Sequence, residues 1–279
     1  MSDDGQPGYW WVPIVAALIA AAAGIVTAVI TNSSNGGGTP TTTAGPRPTT
    51  IPPMPPPRGD NAVAFDFDGG IMLDAQRNRI VASVASAERP GVVVGPNPDS
   101  VATIPHGGGR AVQFPPPCPG AAAPACSRAV VDIRRSEDLN PLDDDFTYGA
   151  WLAVKPEQRV PSANVVQKGL SAGSPNANQW KIELEGGDRP SCVVVGKDGE
   201  PRRATSQLGI ADGSWHQVEC VRSGTVLTLQ VDSMARGAVT VPSGLTIDNG
   251  EPLRLGGNTP NQTDHRFAGA LDDVYFARK

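Results

Sequence analysis

The stretch "SWHQVECVRSGTVLTLQVD" (214–232) carries the pattern that decides the fold. In residues 214–222 and again in 225–232, apolar and polar side chains alternate, which is the spacing of a β-strand with one buried face. Ser223 and Gly224 separate the two runs, and both are common turn residues. The stretch therefore predicts two successive strands.

The same alternation recurs along the chain from about residue 61, with clusters of Gly, Pro, Asn and Asp between the runs. The further runs are 62–68, 110–114, 127–133, 146–154, 163–169, 179–185, 191–196, 237–241, 252–256 and 270–278. No internal repeat and no helical period interrupts them. Strands at this short spacing predict an all-β fold, an antiparallel β-sandwich or barrel, in one domain over 61–279.

An apolar segment precedes this domain. Residues 9–30 carry no charge, and as a helix they are long enough to cross a bilayer. The run begins with three aromatic residues, which favour the membrane interface. We predict a short cytoplasmic tail at 1–8 and one transmembrane anchor at 9–31 that contacts membrane lipid. A signal peptide, cleaved or uncleaved, is the alternative, although 1–8 has no Lys or Arg.

Residues 32–60 form a low-complexity segment, first rich in Gly and Ser and then in Thr and Pro. Such a composition cannot bury enough apolar surface to fold, so we predict a disordered, extended linker. Basic residues near the anchor are too few to set its orientation. The orientation is therefore inferred from the linker and the cysteines.

The chain has four cysteines. Cys118 and Cys126 enclose a short Pro/Ala-rich loop, whereas Cys192 and Cys220 lie in predicted strands that could be neighbours. Of the three possible pairings we predict 118–126 with 192–220, and four free thiols are the alternative. Disulfides require an oxidising compartment. The prediction is a single-pass protein of the cell membrane with its C-terminal domain outside the cytoplasm.

Six segments of the domain occur in a characteristic order. They are "DDFTYGAWLAVKP" (144–156), "WKIEL" (180–184), "DGSWHQVECVR" (212–222), "LTLQVDS" (227–233), "LRLGG" (253–257) and "FAGALDDVYFAR" (267–278). Together they resemble the LamG-like jelly-roll domains of the concanavalin A-like lectin/glucanase superfamily, on what looks like a membrane-anchored bacterial envelope protein. Only Ser233 departs from the pattern, at a turn position where the family has Gly. The resemblance implies two stacked antiparallel sheets with adjacent N- and C-terminal strands.

The resemblance also raises hydrolysis, because the superfamily includes laminarinase-type glycosidases with paired carboxylates. Glu183 and Glu185 share one strand face by their spacing, but the third acid of that pattern is missing. The chain has three histidines but no G-x-S-x-G nucleophile elbow, so a Ser–His–Asp triad is not expected. We therefore predict no catalytic residues and no enzyme.

Glycan binding follows from the resemblance more than from the composition. The domain's tryptophans, Trp151, Trp180 and Trp215, fall in strands that the family uses for its core, so we expect them to be packed there. Tyr148 and Tyr275 remain as candidate ligand-binding residues. A net charge of −5 and a pI near 5.2 exclude a nucleic-acid partner, which would need a basic surface.

A structural Ca²⁺ site is a further expectation, since many family members carry one. Asp66 and Asp68 share one face of the first strand. Asp272 lies in the last strand, which the resemblance places beside the first. The three carboxylates could converge as oxygen ligands of a possible structural calcium ion. The alternative is that backbone N–H groups or Arg254 hold the buried carboxylate.

Strict alternation also assigns the two adjacent aspartates of the last strand to opposite faces. Asp272 then shares the core face with Val274 and Phe276, and Asp273 faces water. This geometry excludes the two carboxylates as a catalytic pair.

These expectations combine into one hypothesis. The chain is predicted to be a membrane-tethered, extracytoplasmic, non-catalytic binding module for a cell-wall glycan or an envelope protein. A glycoside hydrolase of laminarinase type and an accessory structural subunit of a membrane complex are the alternatives.

Overall fold

The computed structural model describes residues 61–69, 71–74, 79–82, 91–95, 97, 100–117, 126–133, 137–170, 173–174, 177–259 and 265–279. The strands in these ranges are β1 (Asn61–Phe65), β2 (Ile71–Asp74), β3 (Arg79–Ala82), β4 (Gly91–Val94), β5 (Ala102–His106), β6 (Gly109–Gln113), β7 (Val130–Ile133), β8 (Phe146–Ala153), β9 (Ser162–Leu170), β10 (Asn178–Glu185), β11 (Arg189–Val195), β12 (Pro201–Thr205), β13 (Trp215–Ser223), β14 (Val226–Val231), β15 (Met234–Thr240), β16 (Leu253–Leu255) and β17 (Ala270–Arg278). Short 3-10 turns lie at Glu137–Leu139 and Pro156–Gln158.

The strands form two antiparallel sheets. Sheet I has the order β15-β14-β13-β8-β17-β6-β5, and β1 also pairs with β17. Sheet II has the order β12-β11-β10-β9-β16-β7-β4-β3-β2. The two inner faces form one hydrophobic core, in which Trp180 of sheet II stacks on Phe276 of sheet I at 5.3 Å between ring centroids.

This architecture confirms the predicted all-β antiparallel sandwich. The first and last strands are neighbours, with Phe65 opposite Val274 and Asn61 opposite Arg278. A disulfide joins Cys192 of β11 to Cys220 of β13 across the two sheets, as predicted, with 5.7 Å between their Cα atoms. Cys126 is also disulfide-bonded, while its predicted partner Cys118 lies outside the described residues.

Two of the strands that the sequence pattern did not predict, β5 and β12, lie at sheet edges. β5 contains Pro105, which cannot donate to a ladder and is tolerated at an edge. β12, with the sequence PRRAT, buries only Ala204. An edge strand with little buried area has little apolar alternation to detect.

The predicted tail at 1–8, anchor at 9–31 and linker at 32–60 all lie outside the described residues. Among the residues that the structure does describe, none forms a helix long and apolar enough to cross a bilayer.

Candidate functional site

Two tryptophans lie on the outer face of sheet I. On β8, Ala150 and Leu152 point into the core, so Trp151 between them points outward. Trp215 of β13 pairs with Ala153 of β8, one step further along the same outer face. Both indoles are half-buried. The expectation that all three domain tryptophans pack in the core is therefore correct for the fully buried Trp180 and wrong for Trp151 and Trp215.

The last strand departs from regular alternation beside these tryptophans. Its register with β8 shifts between Asp272 and Tyr275, and Asp273 has a positive φ of 45°. This is the signature of a β-bulge, in which one extra residue interrupts the pairing.

The bulge changes which side chains of β17 reach the core. Leu271, Val274 and Phe276 belong to the hydrophobic core, whereas Asp272 pairs with Trp151 and shares its outer face. Asp272 is buried, at 4% exposure, as expected. The expectation that it shares a face with Val274 and Phe276 is wrong, because the bulge adds one residue to the strand.

His106 lies over Asp272 on the outer face of sheet I. It ends β5, at the tip of the β5–β6 hairpin, and its Nδ1 lies 2.6 Å from Oδ2 of Asp272. Its ring stacks on Trp215 at 3.8 Å between centroids and 23° between planes, and it meets Trp151 edge-on at 6.1 Å. We call His106, Trp151, Trp215 and Asp272 the aromatic–acidic site.

Two polar atoms of this site are buried without a hydrogen-bond partner among the described residues: Nε2 of His106 and Nε1 of Trp151. The carboxylate of Asp272 accepts from Nδ1, so in the neutral imidazole Nε2 is left as an acceptor. The indole Nε1–H is a donor only. Leaving such groups unpaired in a buried position costs about 1–3 kcal/mol each, so a ligand or water that paired with them would be favoured here.

Carboxylates surround the aromatic–acidic site. Burial raises the pKa of Asp272, and the nearby charge of Asp68 adds to this, although hydrogen bonds from His106 and the Asp273 N–H oppose both. Burial and the neighbouring Asp272, Asp66 and Asp68 raise the pKa of Asp273 to about 6, with His106 opposing. The negative charge here is crowded and incompletely compensated.

The predicted calcium ligands come near one another but are otherwise engaged. Asp66 Oδ1 accepts from the Asp68 N–H at 3.1 Å, Asp68 Oδ1 accepts from the Arg110 N–H at 2.8 Å, and Asp272 Oδ1 accepts from the Asp273 N–H at 2.8 Å. Among the described residues, no three His, Cys, Asp or Glu side chains form a group that could hold a metal ion. Calcium binding at these three carboxylates therefore stays a prediction.

The two predicted ligand-binding tyrosines are both buried. Tyr148 is fully buried between Phe146 and Trp180, and its hydroxyl donates to the Lys181 carbonyl at 3.3 Å. Tyr275 is 5% exposed, and its hydroxyl donates to Glu219. Neither ring offers a surface to a ligand in this structure, so the outward aromatic surface comes from the tryptophans.

The glutamates weighed for hydrolysis lie on sheet II. Glu183 is 2% exposed, with Oε2 paired to Lys181 and Oε1 paired to Arg203. Glu185 contacts the same Arg203 at 2.8 Å. Each oxygen of Glu183 already faces a cation, which indicates an ion-pair network and not a pair of acids flanking a sugar bond.

The fold resembles solved binding domains of bacterial toxins. The binding domain of Paraclostridial Mosquitocidal Protein 1 has a TM-score of 0.53 at 14% identity, covering 79% of this chain and 49% of that chain. The binding domain of botulinum neurotoxin serotype G has a TM-score of 0.51 at 10% identity, over 77% and 46%. The serotype D ligand-binding domain, solved with N-acetylneuraminic acid, has a TM-score of 0.50 at 7% identity, over 78% and 48%.

The chain thus spans about half the length of those solved chains, and at these identities the likeness is one of fold. No curated protein sequence matches it. A family model described as the concanavalin A-like lectin/glucanases superfamily, of the laminin G type, matches residues 128–279. This match covers more than half of the sequence and includes β8, β13 and β17 of the site. The chain therefore belongs to the concanavalin A-like lectin/glucanase superfamily.

Proposed function

We propose that the domain is a non-catalytic binding module that recognises a glycan of the cell envelope through the aromatic–acidic site. One observation carries the proposal: two outward tryptophans on adjacent strands share one face of sheet I with the buried carboxylate of Asp272, which pairs with Trp151. Indole faces stack on the apolar faces of sugar rings, and a carboxylate accepts hydrogen bonds from hydroxyl groups.

The comparisons support binding as the class of function. The similar toxin domains are named as binding domains, and one was solved with a sugar. The ion pairs of Glu183 with Lys181 and Arg203 disfavour the hydrolase alternative. Nε1 of Trp151, which has no partner in the described ranges, favours a polar ligand over a purely apolar one.

Glycan binding is tested with the full-length protein on an array of cell-wall oligosaccharides, followed by titration of each hit. Trp215→Ala should weaken binding at least about tenfold, as expected for a buried aromatic at the centre of an interface. The matched control is Glu185→Gln on sheet II, which should leave binding unchanged. Loss of binding in the control and not in Trp215→Ala would contradict the proposed site.

Two results would point to the alternatives. Release of reducing sugar that disappears in Glu183→Gln would establish a hydrolase. Co-purification with a membrane complex only when residues 9–31 are present, together with no glycan binding, would establish an accessory subunit.

The module is further proposed to lie outside the cytoplasm, held by residues 9–31. The cross-sheet disulfide between Cys192 and Cys220 supports an oxidising compartment. Protease added to intact cells should remove residues 61–279 from the membrane fraction, whereas deletion of 9–31 should release the protein from that fraction. Protection from external protease would contradict this topology.

A further inference from the structure

His106 makes contacts that are unusual for a hairpin tip. The β5–β6 hairpin lies at the edge of sheet I, and β6 pairs with β17 only at Ala270 and Leu271. Its tip nevertheless reaches Asp272 on β17, Trp151 on β8 and Trp215 on β13. The hairpin tip therefore lies over the outer face of the sheet and does not simply extend it.

The contacts of the imidazole are those that a bound ring would make. It lies nearly parallel to the indole of Trp215 at 3.8 Å between centroids, a stacking distance for flat rings. Its Nδ1–H is directed at the Asp272 carboxylate at 2.6 Å. One flat face on an indole and one donor on a carboxylate are also the contacts expected of a stacked sugar.

We infer that His106 is an intramolecular occupant of the glycan site, so that the hairpin is an autoinhibitory lid which a ligand must displace. This inference rests on the proposed function. The ligand it implies is a saccharide ring with one apolar face for Trp215 and a hydroxyl group for Asp272. In this closed arrangement the imidazole of His106 occupies the place of that ring.

The closed lid is incompletely satisfied, which makes displacement feasible. His106 is 8% exposed, yet within the part of the chain that the structure describes its Nε2 has no partner, and neither has the buried Nε1 of Trp151. A histidine that only fastened a hairpin to a sheet would be expected to have both ring nitrogens satisfied, as buried polar groups generally do. Opening would return both atoms to water or to ligand hydroxyls.

The turn next to His106 is also suited to movement. Gly107 and Gly108 adopt positive φ values of 57° and 98°, and an added Cβ at either would meet no atom of the described residues within 4 Å. The open space is confined to these two glycines, because the adjoining Gly109 packs closely against the Asp68 carboxylate. Besides the contacts of His106, a hydrogen bond from the Arg110 N–H to Asp68 at 2.8 Å holds this end of β6. This hydrogen bond is exposed to solvent.

The two possible roles of His106, lid or binding residue, predict opposite changes in ligand affinity when His106 is removed. If His106 competes with the ligand, the apparent dissociation constant is the intrinsic one divided by the open fraction. His106→Ala should then bind at least about tenfold more tightly, whereas removal of a residue that binds the ligand would weaken binding. Trp215→Ala should weaken binding in both backgrounds.

The experiment titrates full-length wild type and His106→Ala with laminaritriose, cellotriose, mannotriose, arabinotriose and triacetylchitotriose. His216→Ala is the matched control, because His216 also bonds a carboxylate through Nδ1, at 2.8 Å from Asp232, but is not one of the four residues of the site. His106→Phe keeps a flat ring on Trp215 without the bond to Asp272, so its affinity should fall between those of wild type and His106→Ala. It also provides a second variant in case the alanine variant does not fold.

Tighter binding by His106→Ala, or binding by that variant alone, supports the lid. Equal or weaker binding by a folded His106→Ala, with binding still dependent on Trp215, overturns the lid and leaves the proposed function standing. If neither wild type nor His106→Ala binds any of these trisaccharides, the proposed function and the lid both fail. Acrylamide quenching of tryptophan fluorescence adds a ligand-free readout, and unchanged quenching in His106→Ala would contradict a cover over Trp215.

Discussion

Asp273 is the residue at which the last strand leaves regular β geometry. Its φ of 45° lies in the left-handed region, which Asn and Asp tolerate better than most residues. Its carboxylate is half-buried among Asp272, Asp66 and Asp68. Asp273 thus forms the bulge that turns Asp272 to the outer face. Its negative charge, close to the other carboxylates, lowers the stability of the folded state.

Replacing Asp273 by Asn should remove that cost and keep the bulge. Burial and the three neighbouring carboxylates raise the pKa of Asp273 to about 6, so the folded state binds this proton more tightly than the unfolded chain. The raised pKa therefore favours folding at low pH, and this contribution is lost as the pH rises from about 4 to about 6. After discounting for solvent screening, Asp273→Asn should gain about 1 kcal/mol at pH 7.

The measurement is the free energy of unfolding in urea from pH 4 to pH 8. The gain should be small at pH 4 and fully present at pH 7. Asp143→Asn, at an exposed position, is the control and should show no such dependence. An equal gain at both ends of the range would show that electrostatic crowding is not its cause.

At the scale of elements, β11 and β13 belong to different sheets and are joined by the Cys192–Cys220 disulfide, 28 residues apart in sequence. Both cysteines are fully buried in the core. The bond ties the layers together beside Tyr148, which pairs with Cys220. It therefore stabilises the sheet that carries the aromatic–acidic site.

Removing this disulfide as the pair Cys192→Ala and Cys220→Ala should lower the free energy of unfolding by about 3–4 kcal/mol, from the entropy of closing a loop of this length. Urea unfolding under non-reducing conditions measures the loss. The predicted Cys118–Cys126 disulfide would close a shorter loop, so its removal as the pair Cys118→Ala and Cys126→Ala should cost less. A larger loss in that pair would contradict the role assigned to the cross-sheet bond.

At the scale of the whole molecule, the two ends of the described domain close the same sheet. β1 pairs along the second half of β17, and Phe65 is fully buried opposite Val274. Two segments about 200 residues apart therefore depend on each other. The bulge and the aromatic–acidic site lie next to this junction.

Phe65→Ala should cost about 3–5 kcal/mol, as is typical for removing a buried aromatic ring. It should also speed amide hydrogen exchange in residues 274–278 more than elsewhere, since those amides lose their packed neighbour. Val226→Ala, at a position 42% exposed, should change neither quantity appreciably. Uniform acceleration over the whole domain would show that the junction does not open as a local unit.

Period-two alternation sufficed to predict the central strands and the all-β class, because it is a local property of each strand. Where that signal is weak, as in the edge strand β12 with one buried residue, the prediction failed. It also failed at Trp151 and Trp215, because both the core and an outward site use aromatic residues in strands. Burial separates the two cases, and burial depends on the neighbouring strands.

By itself, the sequence determined the sandwich, the pairing of Cys192 with Cys220 and the adjacency of the first and last strands, which follow from the strand pattern and the family resemblance. Only the tertiary structure decided which way Asp272 faces and what lies over it. The bulge at Asp273 shifts the alternation by one residue, and His106, 166 positions away in sequence, reaches Asp272 through the hairpin. Contacts between such distant residues are set by how the strands assemble, so no local pattern reveals them.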